Sequence, residues 1–150
     1  MDRLLTDHAL QVLDLARDEA ERLGREYVLP EHLLLALIGL RQSLAADALF
    51  ELGSDPLSMR AELEKCGESR VGRPAKDRPF HPRMGRILEL ARRAAADMGN
   101  IHIGTEHLLL ALISESEGPA AQMLSKRGVT LSNTRHQVIR ILERETRLHG

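Results

Sequence analysis

The chain has 150 residues and a net charge of −1, with 43% hydrophobic, 29% charged and 2% aromatic residues. That balance suits a folded core, and it supplies neither the basic domain of a polyanion binder nor the ~18 uninterrupted apolar residues of a membrane span. A single cysteine, Cys66, excludes an internal disulfide, and with no charged-then-apolar leader in the sequence the expected compartment is the cytoplasm.

In chain order, the first helix is expected to open at Thr6, whose hydroxyl can accept from an unpaired backbone N–H. Its apolar stripe is Ala9, Val12, Leu13, Ala16, Ala20 and Leu23, and Gly24 ends it. A second helix starts at Pro30 and contains Leu33 to Ile38; it is apolar nearly all round, which predicts a central, buried position. A third runs over roughly Leu44 to Leu52 and stops at Gly53, and a fourth begins near Asp55-Pro56. The segment Gly67 to Pro79 mixes glycine, proline and charge without an apolar stripe, so it reads as a solvated linker with Cys66 at its edge. A fifth helix carries the stripe Met84, Ile87, Leu88, Ala91, Ala95 and Met98, with Pro82 near its first position and Gly99 at its end. The sixth contains Leu108 to Ile113, with Thr105 as its expected cap. The seventh spans Pro119 to Arg127 and ends at Gly128; the eighth starts near Ser132 and runs, charged, to about Thr146.

These elements are one unit written twice. A shift of 75 positions places Leu13 to Arg17 on Leu88 to Arg92, Gly24 on Gly99, Gly53 on Gly128, and the octamer Glu31 to Ile38 on an identical octamer, Glu106 to Ile113, without a gap. Internal repetition of this kind defines an architecture. We therefore expect an all-α fold, an eight-helix bundle of two tandem four-helix repeats related by a pseudo-twofold axis. It forms one domain over residues 1–150, with repeat 1 at about 5–65, a linker at about 66–79 and repeat 2 at about 80–146. Charge is unequal along it: residues 1–64 hold 13 acids and 6 bases (net −7), while the linker and second repeat are each basic by 3.

Catalytic chemistry is poorly represented. There is no phosphate-cradling loop of the form G-x-x-x-x-G-K-S/T, no histidine pair with a carboxylate at metal-ligand spacing, and no histidine near Cys66 in sequence. Neither an enzyme, a cofactor nor a metal site is expected. Glu31 and Glu106 stand at equivalent starts of the two central helices, where a carboxylate either is simply favoured by the helix dipole or forms one of two symmetric sites for a cationic group. His32 and His107 follow directly and read as packed or hydrogen-bonded core residues.

The twin Glu-His-Leu-Leu-Leu-Ala-Leu-Ile blocks, with Ile103-Gly104-Thr105 before the second and Glu117-Gly118-Pro119-Ala120-Ala121 after it, resemble the repeated N-terminal domain of the Clp/Hsp100 unfoldases, especially the ClpC-type branch. The likeness covers about Leu5 to Leu142. It implies a non-enzymatic protein-binding domain that recruits substrates or adaptors to a Clp ATPase/protease system, monomeric when isolated and without nucleic-acid or membrane partners. It also implies recognition of arginine-phosphorylated proteins at two sites related by the repeat. There the glutamates, here Glu31 and Glu106, hold the guanidinium, and groups at the start of each repeat's first helix, here Thr6 and His81, face the phosphate. Carboxylate matches guanidinium as a fork, while hydroxyls and helix-start N–H groups suit phosphate. The copies depart from the family differently: Phe80-His81 replaces the usual Phe-Thr in the second, and Val28-Leu29-Pro30 replaces Ile-Gly-Thr in the first. A free-standing regulatory or stress-protective module, acting as decoy or adaptor without delivery to a protease, is the alternative.

Overall fold

The computed structural model describes residues 4–65, 74–115 and 117–149, and Cys66 lies outside them. Among these residues the chain forms eight α-helices: α1 (Asp7–Arg22), α2 (Pro30–Gly39), α3 (Leu44–Glu51), α4 (Pro56–Glu64), α5 (Pro82–Asp97), α6 (Thr105–Glu115), α7 (Pro119–Lys126) and α8 (Leu131–His149). The all-α expectation holds, and most helix ends fall within a residue or two of the predicted ones.

Local chemistry explains those ends. Thr6 Oγ1 accepts from the Ala9 N–H at 3.1 Å, as expected of an N-cap. Past the ends of α1 and α5, Gly24 and Gly99 have φ of 66° and 75°, a left-handed turn that L side chains rarely adopt. Each turn is closed by the following amide reaching back, Arg25 N–H to the Ala20 carbonyl at 2.9 Å and Asn100 N–H to the Ala95 carbonyl at 2.8 Å. Thr130 caps α8, which starts at Leu131, one residue before the expected Ser132. Thr130 Oγ1 accepts from the Asn133 N–H at 3.1 Å, and Asn133 Oδ1 accepts from the Thr130 N–H at 2.9 Å.

Two expectations need correction. Thr105 does not cap α6; it is the first residue of that helix, and its buried hydroxyl accepts from the Ala45 N–H of α3 at 3.2 Å. A threonine in the second copy thus serves a helix start in the first. The end of the linker is also not solvated throughout. Residues Ala75–Asp77 form a 3₁₀ turn against α1, the Ala75 N–H reaches Glu21 Oε2 at 3.0 Å, and Arg78, only 3% exposed, donates to the Arg25 carbonyl.

The two copies interlock. Leu5 pairs with Ile103, and Val28 pairs with Phe80, as two isolated parallel bridges. Thr6 N–H donates to the Ile103 carbonyl at 2.9 Å and His81 N–H donates to the Val28 carbonyl at 2.9 Å. Adding 75 to a bridge's first-copy member and subtracting 75 from its second-copy member converts one bridge into the other, which is the pseudo-twofold relation expressed in hydrogen bonds. Each copy's opening segment therefore lies beside the segment that precedes the central helix of the other copy.

Between the bridges, α2 and α6 form the centre. Leu33, Leu34, Leu35 and Leu37 from one and Leu108, Leu109 and Leu112 from the other are each at most 1% exposed, and they belong to a buried cluster drawn from both copies. Burying a leucine of this kind stabilises by roughly 1.5–3 kcal/mol. A smaller cluster of Ala48, Val138 and Ile141 seats α8 on α3, another pairing across copies.

Candidate functional site

Because the opening segments cross, each central-helix glutamate faces the other copy's first helix. The start of α1 and the start of α6 enclose a cleft of about 400 Å³ lined by Thr6, Asp7, His8, Leu44, Gly104, Thr105 and Glu106. Thr6 therefore belongs with Glu106, not with Glu31 of its own repeat. At the symmetric position the start of α5 meets the start of α2: His81 bonds through its amide to Val28, and the Glu31 carboxylate acts electrostatically on Arg83.

Both glutamates sit where helix-start amides favour a negative charge. Glu106 folds back over Gly104, so closely that a Cβ at position 104 would collide with its Oε1. Burial raises the Glu106 pKa above its ordinary value; the residue's own backbone N–H opposes this and the Glu145 charge adds to it. In the first copy position 104 becomes Leu29, whose Cβ fills the corresponding space, so Glu31 cannot fold the same way. Glu31 is instead 8% exposed, with Oε1 buried and without a hydrogen-bond partner.

The histidines that follow complete the helix starts. His32 Nδ1 accepts from the Leu29 N–H at 2.9 Å, and His107 Nδ1 accepts from the Gly104 N–H at 2.8 Å. His107 Nε2 meets Asn100 Oδ1 at 3.1 Å, which places its proton on Nε2. Burial brings both imidazole pKa values down to about 4, with the nearby Arg25 and Arg78 charges adding to the effect at His32. These are hydrogen-bonded core histidines, as their sequence context suggested.

At the other candidate positions, His81 is the N-cap of α5: its Nδ1 accepts from the Arg83 N–H at 3.2 Å, the task Thr6 performs for α1. Its ring stands edge-on to Tyr27, with the ring centroids 5.7 Å apart. Two further residues escaped the sequence reading. Arg83 forms a forked pair with Glu115, Nε to Oε2 at 3.1 Å and Nη2 to Oε1 at 2.5 Å, with the Glu115 side chain 5% exposed. Gly118 leaves room for that guanidinium, since a Cβ there would collide with it. A signal existed: Arg83 lies in the first turn of α5 and Glu115 in the last turn of α6, each opposing its helix dipole, and such misplaced charges call for a partner.

Among the described residues no cluster of three or more His, Cys, Asp or Glu could hold a metal ion, and no single helix is long and apolar enough to cross a membrane. What the arrangement offers is a pair of carboxylates at helix starts, one in a cleft with a threonine and one beside an arginine and a histidine.

The profile of the Clp repeat (R) N-terminal domain family matches residues 4–127 and 80–149. The chloroplastic chaperone protein ClpC2 of Oryza sativa subsp. japonica is 42% identical over 145 residues, covering 97% of this chain and 16% of that protein. The chain thus spans about one-sixth of the length of such relatives. Among solved structures, the Hsp104 N-terminal domain from Candida albicans superposes with a TM-score of 0.73 at 19% identity, covering 91% of this chain and 90% of that one. A ClpV N-domain solved in complex with a VipB peptide superposes with a TM-score of 0.64 at 19% identity, covering 87% and 89%. By fold, internal repeat and family match alike, the chain belongs to the Clp repeat N-terminal domain family.

Proposed function

We propose that this chain is a non-enzymatic protein-binding domain that recruits substrates or adaptors to a Clp ATPase/protease system, and that it recognises phosphoarginine-marked proteins at the two crossed sites. The observation that carries the reading is the Glu31 carboxylate, almost fully buried at a helix start with one oxygen unpartnered. A buried acceptor without a partner costs about 1–3 kcal/mol, which an incoming guanidinium would recover. Arg83, on which Glu31 acts electrostatically, and His81, the cap of α5, belong to the helix start that meets α2, and the phosphoryl group of such a ligand needs positive charge and donors there. The Glu106 site supplies Thr6 and the α1 amides for the same purpose. A domain that binds peptide is in keeping with the peptide complex of the ClpV N-domain. The chain acts in this role as a monomer in the cytoplasm, although several relatives are described as chloroplastic.

Calorimetric titration with free phosphoarginine tests the ligand, with arginine and inorganic phosphate as separate controls. Two sites are expected in the wild type, with all heat lost in the Glu31→Ala/Glu106→Ala double variant. Absence of heat from the wild type, or equal heat from both proteins, defeats the two-site reading. Release of inorganic phosphate during the titration would favour an enzyme instead, and a pulldown that recovers Clp ATPase or protease subunits separates recruitment from a stand-alone decoy.

A further inference from the structure

A second surface lies apart from the crossed sites, where α2, α3 and α4 meet. It is a groove of about 390 Å³ walled by Ile38, Leu49, Phe50, Leu57 and Met59. Phe50 is 76% exposed and Leu57 73%, two large apolar side chains side by side on water. The repeat provides an internal control. The same groove recurs in the second copy, bounded by Ile113, Ala121, Ser125, Val129 and Leu131. The 75-residue shift puts Ser125 on Phe50 and Ser132 on Leu57, so this helical frame folds with hydroxyls at both places. The exposed phenylalanine and leucine are not demanded by folding, and an adjoining exposed apolar pair of this size marks a contact surface.

Charge at the rim specifies the occupant further. Asp47 and Asp55 line the first-copy groove together with Arg41, and Glu51 lies one turn beyond Asp47 on α3, while the equivalents of the three acids are Gln122, Lys126 and Thr130. Glu51 is paired with Arg144 at 3.2 Å. Burial holds the Asp47 pKa above its ordinary value, the Glu145 and Glu51 charges add to this, and Arg144 opposes it. In the groove wall the Ser54 hydroxyl is buried without a hydrogen-bond partner. An acidic rim repels an anionic membrane surface and attracts lysine and arginine.

We propose that the α2–α3–α4 groove of the first copy docks an amphipathic helix of a partner protein, with large apolar side chains seated between Phe50 and Leu57 and basic side chains along the rim. This is the helix-in-groove mode of peptide recognition. It does not depend on the glutamate sites, so failure of the phosphoarginine titration leaves it standing.

The test uses the whole chain and a fluorescein-labelled helical peptide of leucine and lysine, with a leucine–glutamate peptide as control, read by anisotropy. The lysine peptide is expected to bind and the glutamate peptide to bind much more weakly. Phe50→Ser/Leu57→Ser, which copies the second repeat, is expected to lower affinity by about tenfold or more. Asp47→Gln/Glu51→Lys is expected to lower it several-fold and flatten its salt dependence. Circular dichroism checks that the variants remain helical, and amide exchange is expected to show protection confined to residues 44–64. Equal affinity of wild type and the serine variant, protection centred on α7 or the glutamate sites, or no binding at all overturns the proposal. So does a concentration-dependent doubling of mass that the serine variant abolishes, because the occupant is then a second copy of the chain.

Discussion

The hydroxyl of Thr105 offers a direct measure of how strongly the two copies depend on each other. At the start of α3, the Ser43 hydroxyl accepts from the Ala46 N–H at 3.1 Å, while the Ala45 N–H is served by Thr105 Oγ1 at 3.2 Å. Ala45 is fully buried and Thr105 is 3% exposed, so water cannot replace that acceptor. Thr105→Val keeps the shape and removes the oxygen, leaving a buried amide unpaired at a cost of about 1–3 kcal/mol. For a domain of this length that corresponds to a fall in melting temperature of about 3–10 °C. Thr105→Ser retains the oxygen and is expected to lose less than half as much. Urea and thermal unfolding of the three proteins measure the difference. Because Ser43 caps the neighbouring amide of the same helix, Ser43→Ala combined with Thr105→Val should show non-additivity. If valine matches wild type, or if serine is as damaging as valine, the hydrogen bond is not what Thr105 contributes.

Other outcomes follow from the core and the site. Leu34→Ala and Leu109→Ala occupy equivalent, fully buried positions, so each is expected to cost about 2–5 kcal/mol in urea unfolding; a loss under 1 kcal/mol at either would deny it a place in the shared core. His32 and His107 have pKa values lowered from the ordinary 6.5 to about 4. Their neutral forms therefore contribute stability that is full above pH 6.5 and is lost as pH falls toward 4, at roughly 1.4 kcal/mol per pH unit per histidine. A His107→Gln variant should show a shallower fall over that window; an unchanged slope would refute the assignment. The Glu106 pKa is raised by burial, so attraction for a guanidinium is complete well above the usual carboxylate range and fades as pH falls through the raised value. Gly104→Ala should push that carboxylate aside and weaken binding at the Glu106 site alone, visible as the loss of one of two calorimetric sites; two intact sites would show that the fold-back does not matter.

Much of this was legible from periodicity. The apolar stripe of Ala9, Val12, Leu13 and Ala16, the glycines that end the helices and the all-round apolar octamers carry strong local signals, and each stands as read. The partnerships were not legible, because they join residues distant in sequence. Nothing local distinguishes a Thr105 that caps its own helix from one that serves Ala45. Likewise, spacing within one repeat cannot show that Thr6 approaches Glu106. Arg83 and Glu115 could have been found from their unfavourable positions on their own helices. Arg78 could not, since a basic residue in a proline-rich stretch usually stays in water, and here it is buried and donates to the Arg25 carbonyl.

The paired bridges at Leu5 and Phe80 bear on how such a chain can change over time. Had one four-helix unit existed alone, its opening segment and its Val28-like segment would each have lacked a mate, and two molecules exchanging those segments would have satisfied both. The present chain is the covalently joined counterpart of such an exchange. Divergence therefore acts across the join: replacing threonine by histidine in the second copy alters the surroundings of the first copy's glutamate, while the first copy's loss of glycine alters what the second copy's opening helix faces.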